Sequence, residues 1–511
     1  MFRRADVDVV GRWLFGAADG ALSPGSPLRF EVRAGLVRAV TALDADRRES
    51  RREVPVLGGA DAIVVPGLSD CHLHLVATAA SLSGRDLASD HPGSIESLLE
   101  RLGALARRGD PDSWLRVSGF EETRLVEGRF PTVAELDRAV RARPLRLRHA
   151  TRHASMLNSA ARLRLAEALG ETDRGEAAGD AGLGERSSAV FGRETAFTAA
   201  LGPHDPAALR EGLRAASEWL ARRCVTCLDE VTGSNDPVRV ALLAEAVARG
   251  DVRQRVRVFV PDADLASAAR EAAAGMVEIV GVKLFAHDAD EAAAPGFAAA
   301  VQRARRAGLP IAVHAVEPDV VARVIEVLDR APRRLAPSAT SPGAQAAAPV
   351  GAVPDRIEHA SLCPPELARR IAAAGVAVVT QPGFLRTRGS KYRREVEEAL
   401  WPWLYPLRTL REAGVLVAVG SDAPVGPLDP VEALVAMTTR RTAQGEPVGL
   451  AQALAPSEAW QVSTEAPRRL RAEPVPAPSA GAPADLVLLR GFASAQPGWN
   501  WLRAADGVGG S

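Results

Sequence analysis

Six residues able to hold a metal ion follow one another along this chain, each at or just after a short apolar run: His72, His74, Lys283, His314, His359 and Asp422. In an α/β barrel the strand ends gather catalytic groups into one pocket, so this order predicts a metal-dependent enzyme. His72 and His74 stand two apart in CHLHL. Residues two apart in a strand face the same way, which lets both imidazoles reach one ion. Alone, such a pair is weak evidence, because histidines are common in cores and on surfaces. Lys283 ends the run VEIVGVKLF, where burial favours the neutral amine. A neutral amine adds carbon dioxide to give a carbamate, an anion able to bridge two metals; a snorkelling lysine is the plain alternative. His314 in LPIAVHAV and His359 in RIEHA follow buried-strand patterns, and either by itself could be a satisfied core histidine. Asp422 closes GVLVAVGSDAP, where it could touch a metal and accept a proton from water, or simply cap a turn.

The elements that must carry these residues read as α/β. After Pro66-Gly67, β-like runs alternate with helical stretches rich in Ala, Leu, Arg and Glu: LSDCHLHL, PLRLRHA, VTCLDEV, RVRVFV, VEIVGVKLF, LPIAVHAV, DRIEHA, GVAVVTQ and GVLVAVGSD. That alternation is the mark of parallel βαβ units. The first 65 or so residues instead alternate short β-like runs with turns, which predicts a small sheet. The stretch EPVPAPSAGAP at 473–483 reads as a linker returning to that sheet, and ADLVLL at 484–489 as one more of its strands. Residues 331–354, rich in Ala, Pro, Ser and Gly without periodicity, read as a flexible insertion between two barrel units.

With 511 residues, 47% of them hydrophobic, the chain is long enough for one large domain and a smaller one. Its 63 basic and 63 acidic residues cancel, so no global field favours nucleic acid or an anionic membrane. The opening MFRRADVDVVGRWLF is interrupted by Asp6, Asp8 and Arg12, unlike a signal peptide. No run reaches the roughly 18 apolar residues that cross a bilayer, and a cytoplasmic protein is expected. Four cysteines are too few for a disulfide framework. Cys224 and Cys227 have a metal-like or redox-like spacing but lie in a strand-like run without a second pair, so core cysteines are expected. Walker, GxSxG and HExxH motifs are absent from the sequence.

The segments VVPGLSDCHLHL, GVKLFA, IAVHA, DRIEHASL and AVGSDAPVGPLDP resemble successive signatures of the amidohydrolase superfamily, and specifically its YtcJ-like, amidohydrolase family 3 branch. WLRVSGFEETRL, FPTVAELDRAVRARPLRLRHATRHASMLNSAA and ADLVLL are similar to the same branch, so the likeness runs from about residue 60 to 490. It implies an α/β fold: a distorted TIM (β/α)8 barrel over 66–465, with a small β-sandwich built from 1–65 and 466–511. It also implies one or two divalent ions, zinc foremost. His72 and His74 would hold the first, a carbamylated Lys283 would bridge, His314 and His359 would hold the second, and Asp422 would shuttle protons. His153 and Asn158 match a family His and Asn expected near the substrate, where they could serve as carbonyl or oxyanion donors. Arg148 belongs to an arginine group read as part solvated face and part pocket rim. The sequence departs from the family at His287-Asp288 and Glu317-Pro318, and His287 is expected to contact substrate or act as an extra ligand.

A metal lowers the pKa of bound water towards neutrality and polarises a carbonyl, supplying hydroxide without a Ser or Cys nucleophile. The expected activity is therefore hydrolysis of a C–N bond in a small amide, formamide or cyclic amide. A non-hydrolytic isomerase or decarboxylase on the same barrel is the alternative, and a silent scaffold a further one. The expected partner is a small-molecule substrate, with a homodimer the commonest prior.

Overall fold

The computed structural model describes residues 6–16, 22–43, 54–82, 87, 92–107, 113–149, 154–169, 188–191, 206–268, 277–331, 353–475, 479–482, 484–489 and 508–510. The core of the expected 331–354 insertion, and His153, lie outside these residues. The chain opens with β1 (Val7–Gly16), β2 (Leu22–Arg33), β3 (Leu36–Ala42) and β4 (Val56–Pro66), followed after Gly67 by β5 (Leu68–Leu73). Next come β6 (Leu115–Phe120), β7 (Leu145–His149), β8 (Ala154–Leu157) and β9 (Ala189–Phe191). The series β10 (Val225–Glu230), β11 (Arg255–Val260), β12 (Glu278–Phe285) and β13 (Ile311–Ala315) leads to β14 (Arg356–His359), β15 (Ala377–Thr380) and β16 (Val417–Val419). Two short strands, β17 (Leu486–Leu489) and β18 (Val508–Gly510), come last.

The chain falls into two compact units, 1–75 with 216–511, and 76–215. In the first, eight strands run in the order β5-β10-β11-β12-β13-β14-β15-β16, every hydrogen-bonded pair parallel. A parallel bridge between Leu73 and Ala423 returns the sheet on itself. Val256, Val258, Val260, Ile311, Val313, Val378 and Val379 are all buried, as β-branched residues are in strands covered on both faces. Helices return the chain between strands, and those starting at Pro237, Pro295, Pro318, Pro365, Pro430 and Pro456 carry proline in the first turn. There its missing N–H costs no hydrogen bond and its fixed φ suits a helix start. Helix Pro318–Arg330 buries Val320, Val321, Val324, Ile325 and Leu328, a single helical face turned inward.

The two ends of the chain meet in a six-stranded sheet of order β18-β17-β4-β1-β2-β3. ADLVLL supplies β17, antiparallel to β4 with Leu488 opposite Val64. Trp13, Phe30, Val37, Val64 and Leu488 form its apolar core. Cys224 and Cys227 are free and buried, as expected of core cysteines. No helix among the described residues is long and apolar enough to cross a membrane.

The second unit corrects the expectation of a continuous barrel. PLRLRHA does form a strand, β7, but β7 lies between β6 and β8 in a separate four-stranded sheet. Alternation in a sequence shows that a segment is extended, whereas its partner is chosen by long-range pairing. Leu98, Leu102, Leu115, Phe120, Leu136, Leu147 and Met156 make this unit's own core. Its helix Val133–Ala139 begins with a reciprocal capping box between Thr132 and Glu135. Hydrogen bonds from Arg129, the largest influence, and from Thr132 outweigh burial and bring the Glu135 carboxyl down to about 2. A carboxyl depressed in the folded state stabilises above its unfolded pKa and loses that contribution as pH falls through the folded value. Glu135→Gln is therefore expected to lower stability at pH 7 by about 1 kcal/mol or less, the pair being partly exposed and screened by solvent. The deficit should shrink as pH falls from about 4.5 towards 2, read by thermal melts across that range; a pH-independent deficit would contradict it.

Candidate metal centre

His72 sits inside β5, and His74 one residue beyond its end. Their imidazoles lie edge to face with centroids 5.4 Å apart. Asp422, just after β16, brings Oδ1 to 3.0 Å from His74 Nε2 and 3.5 Å from His72 Nε2. Ligand atoms of the three residues all lie within 4.8 Å of one another. Burial opposes the charged form of Asp422, but hydrogen bonds from His72 and His74 outweigh it and hold the carboxyl well below the usual range. Burial likewise opposes a charged His72, while Glu358 and Asp422 prevail and raise its pKa.

Two backbone devices bring these groups together. Asp70 Oδ1 accepts from the amides of His72 at 3.1 Å and Ser421 at 2.9 Å, tying the end of β5 to the loop that carries Asp422. Burial lifts the Asp70 carboxyl to about 6. Gly420 then passes so close to β5 that a Cβ there would stand 2.5 Å from the His72 nitrogen. Gly420→Ala is expected to cost roughly 1–3 kcal/mol through overpacking and to lower bound metal by displacing His72. Urea unfolding and elemental analysis of the purified variant measure both, and wild-type values in each would refute this account of Gly420.

Lys283, His314 and His359 come from the adjacent strands β12, β13 and β14. Register places Phe285 opposite His314, and Ala315 opposite His359. Rings of His314 and His359 stand 4.5 Å apart, and those of His359 and His72 4.9 Å apart, so the histidines converge. Lys283 Nζ is buried without a hydrogen-bond partner, and burial brings its pKa down to about 8. Burial, aided by neighbouring cationic groups, takes His314 to about 2. Burial is also the main reason His359 falls to about 4. Both imidazoles are consequently neutral near pH 7, the form that ligates metal.

His359 and Asp422 adopt left-handed φ values of 80° and 54°. Such conformations cost of order 1–3 kcal/mol in non-glycine residues and cluster at functional sites. The φ of His359 also breaks the alternation of β14, which lets consecutive residues Glu358 and His359 both serve the centre.

The donor set fits a divalent cation: three imidazole or carboxylate groups are already gathered, and a buried amine lies nearby without a hydrogen-bond partner. The sequence profile of the Amidohydrolase family matches residues 60–497. This chain belongs to the amidohydrolase family. YtcJ of Bacillus subtilis (strain 168) is 24% identical over 410 residues, covering 75% of this chain and 74% of that protein. N-substituted formamide deformylase of Arthrobacter pascens is 24% identical over 492 residues, covering 85% and 84%. An uncharacterized metal-dependent hydrolase from Pyrococcus horikoshii OT3 superposes with a TM-score of 0.70 at 20% identity, over 96% of this chain and 98% of that one. That likeness supports the barrel with its terminal sheet.

Within this amidohydrolase, several groups serving the centre escaped the sequence reading. Glu358 Oε2 lies 2.5 Å from His72 Nδ1. Gln381 Oε1 lies 2.8 Å from His359 Nδ1, and Thr232 Oγ1 2.9 Å from His74 Nδ1. Glu230 accepts from the Leu75 and Thr232 amides, ordering the chain around His74. The one local hint was polarity inside strand-like runs, as in RIEH and CLDE; which polar residues meet which histidines depends on the barrel.

Asn158 and Arg148 belong to the second unit. Asn158 Nδ2 donates to the carbonyls of Val140 and Arg143, and Oδ1 accepts from the amides of Leu145 and Ala161. Both amide hydrogens are thus committed to backbone. Arg148 lies in β7 opposite Ser155. His287, just beyond β12, is exposed, bonds Glu291 through Nδ1 at 2.8 Å and stacks on Phe285. Its ring lies 5.5 Å from that of His314, at the edge of the histidine group.

Proposed function

We propose that this amidohydrolase cleaves a C–N bond of a small-molecule amide, formamide or cyclic amide with the aid of one or two divalent ions, zinc foremost. The gathering of His72, His74 and Asp422 beside a buried Lys283 amine that has no hydrogen-bond partner carries this reading. His72 and His74 would hold one ion; Lys283 as its carbamate, with His314 and His359, would hold another. When bound, such an ion acidifies a water and polarises the scissile carbonyl.

The chain's own groups supply the remainder. Asp422, kept ionised by the two histidines, accepts a proton from the attacking water and returns one to the leaving nitrogen as the C–N bond breaks. Amide and water thereby become a carboxylic acid and an amine. Gln381 and Thr232 hold the backs of His359 and His74, keeping the opposite ring nitrogens directed inward. His287, backed by Glu291, would contact the substrate at the edge of the pocket.

The name of the Arthrobacter pascens relative makes N-substituted formamides the first substrates to assay. Formate release by zinc-replete protein, abolished by a chelator and restored by zinc, is the expected result. Absence of hydrolysis across formamides, anilides and cyclic amides by protein carrying stoichiometric metal would refute the proposal.

A further inference from the structure

We propose that Glu358 is the positioning residue that makes the His72–His74–Asp422 corner the first part of the site to take a metal. This rests on the metal-hydrolase reading and concerns how unequal the two halves of the site are. The four candidate ligand histidines differ in what stands behind them. His74 has a hydroxyl, Thr232, and His359 a neutral amide, Gln381. Among the described residues His72 alone of the four is backed by a carboxylate, Glu358, and both side chains are buried. A carboxylate accepting the Nδ1 proton fixes the tautomer with Nε2 free, and increases the basicity of that nitrogen.

Glu358 is itself held in place. Its Oε1 takes the Arg356 Nε proton at 2.6 Å, while Arg356 Nη1 reaches Asp229 at 2.6 Å and Arg257 pairs with the other Asp229 oxygen at 2.8 Å. Arg356 Nη2 also donates to the carbonyl of Cys71 at 3.0 Å, so one guanidinium clamps both Glu358 and the backbone immediately before His72. The Arg356 guanidinium lies 4.2 Å from the centroid of the Phe259 ring. Charges alternate along this buried line, Arg257, Asp229, Arg356, Glu358, and end on a metal ligand. Apolar residues of similar volume often stabilise a core as well as a buried ion network does, so its arrangement behind His72 points to a role at the centre. In the other half, among the described residues, Lys283 Nζ has no hydrogen-bond partner and His359 is backed by the neutral Gln381.

The replacement that isolates this role is Glu358→Gln. Two donors, Arg356 Nε–H and His72 Nδ1–H, converge on the carboxylate, and glutamine offers one oxygen. Its NH2 must oppose one of them, either loosening the Arg356 clamp or driving His72 to the tautomer whose Nε2 is protonated and cannot ligate. Zinc binding by full-length apo-protein, in competition with a chromogenic chelator, is the primary measurement. The tighter class of site is expected to weaken by about 10–100-fold in Glu358→Gln, with the weaker class unmoved. Nitrogen-15 shifts of the zinc-loaded protein should show His72 protonated on Nδ1 in wild type and altered in the variant. Arg356→Lys, which keeps the carboxylate and the charge, should weaken the same class by less, and Gln381→Ala should weaken the other class. An unchanged tight class in folded Glu358→Gln, or an equal loss in Gln381→Ala, would overturn the proposal. Wild-type protein that binds no zinc would instead overturn the hydrolase reading beneath it.

Discussion

Replacing Asp422 by asparagine is expected to lower kcat/KM by on the order of 10²–10⁴-fold while leaving most of the bound metal in place. The range is what a positioned general acid–base group contributes. Asparagine keeps an oxygen near His72 and His74, which lie 3.5 and 3.0 Å from Asp422 Oδ1 in the wild type. It cannot accept the proton of the attacking water, nor deliver one to the leaving nitrogen. The carboxyl stands well below the ordinary carboxylate range because the histidine hydrogen bonds outweigh burial. Its charged form is thus present throughout the neutral range, and protonation of Asp422 should not shape the pH profile there. Paired assays of formate or amine release and metal content on the same preparations separate the outcomes. Substantial turnover by Asp422→Asn would remove the residue from proton transfer; joint loss of metal and activity would show that its main work is ligation.

Lys283→Ala is expected to have the second large effect, loss of part of the bound metal and of most activity, partly restored by added acetate or propionate. Lys283 Nζ is buried without a hydrogen-bond partner, and burial, which disfavours an ammonium, lowers its pKa to about 8. A neutral amine is what attacks carbon dioxide: the nitrogen lone pair forms the C–N bond, a proton leaves to solvent, and the resulting carbamate bears the negative charge. The small cavity left by alanine can admit a free carboxylic acid that replaces the carbamate oxygens. Carbon-13 spectra of protein exchanged with labelled bicarbonate offer a direct view, with a carbamate signal expected in wild type and absent from the variant. Full metal retention and full activity in Lys283→Ala would exclude the carbamate.

The ligand order was legible because each candidate lies in or just after a strand of recognisable composition. LSDCHLHL, VEIVGVKLF, LPIAVHAV, DRIEHA and GVLVAVGSD become β5, β12, β13, β14 and β16 with their flanking residues, all in one barrel. ADLVLL, read as one more strand of the terminal sheet, pairs with β4. PLRLRHA shows where local pattern stops being sufficient. It is as strand-like as the others, yet β7 pairs with β6 and β8 outside the barrel. Asn158, inside a family-like segment, spends its amide on four backbone groups, partners that the sequence alone does not name.

By itself the sequence determined the alternation of strands and helices, the order of the six candidate ligands and the balanced charge that favours no polyanion. These follow from near neighbours and from composition, which a linear string records directly. Only the tertiary structure decided that Glu358 stands behind His72 across 286 positions of sequence, that Gly420 must lack a side chain for β5 to pass, and that residues 76–215 make a unit of their own. Such pairings depend on which strands lie side by side and on positive φ values that redirect single residues. Both are properties of the closed barrel, in which residues remote along the chain become neighbours and hydrogen-bonding capacity is shared among them.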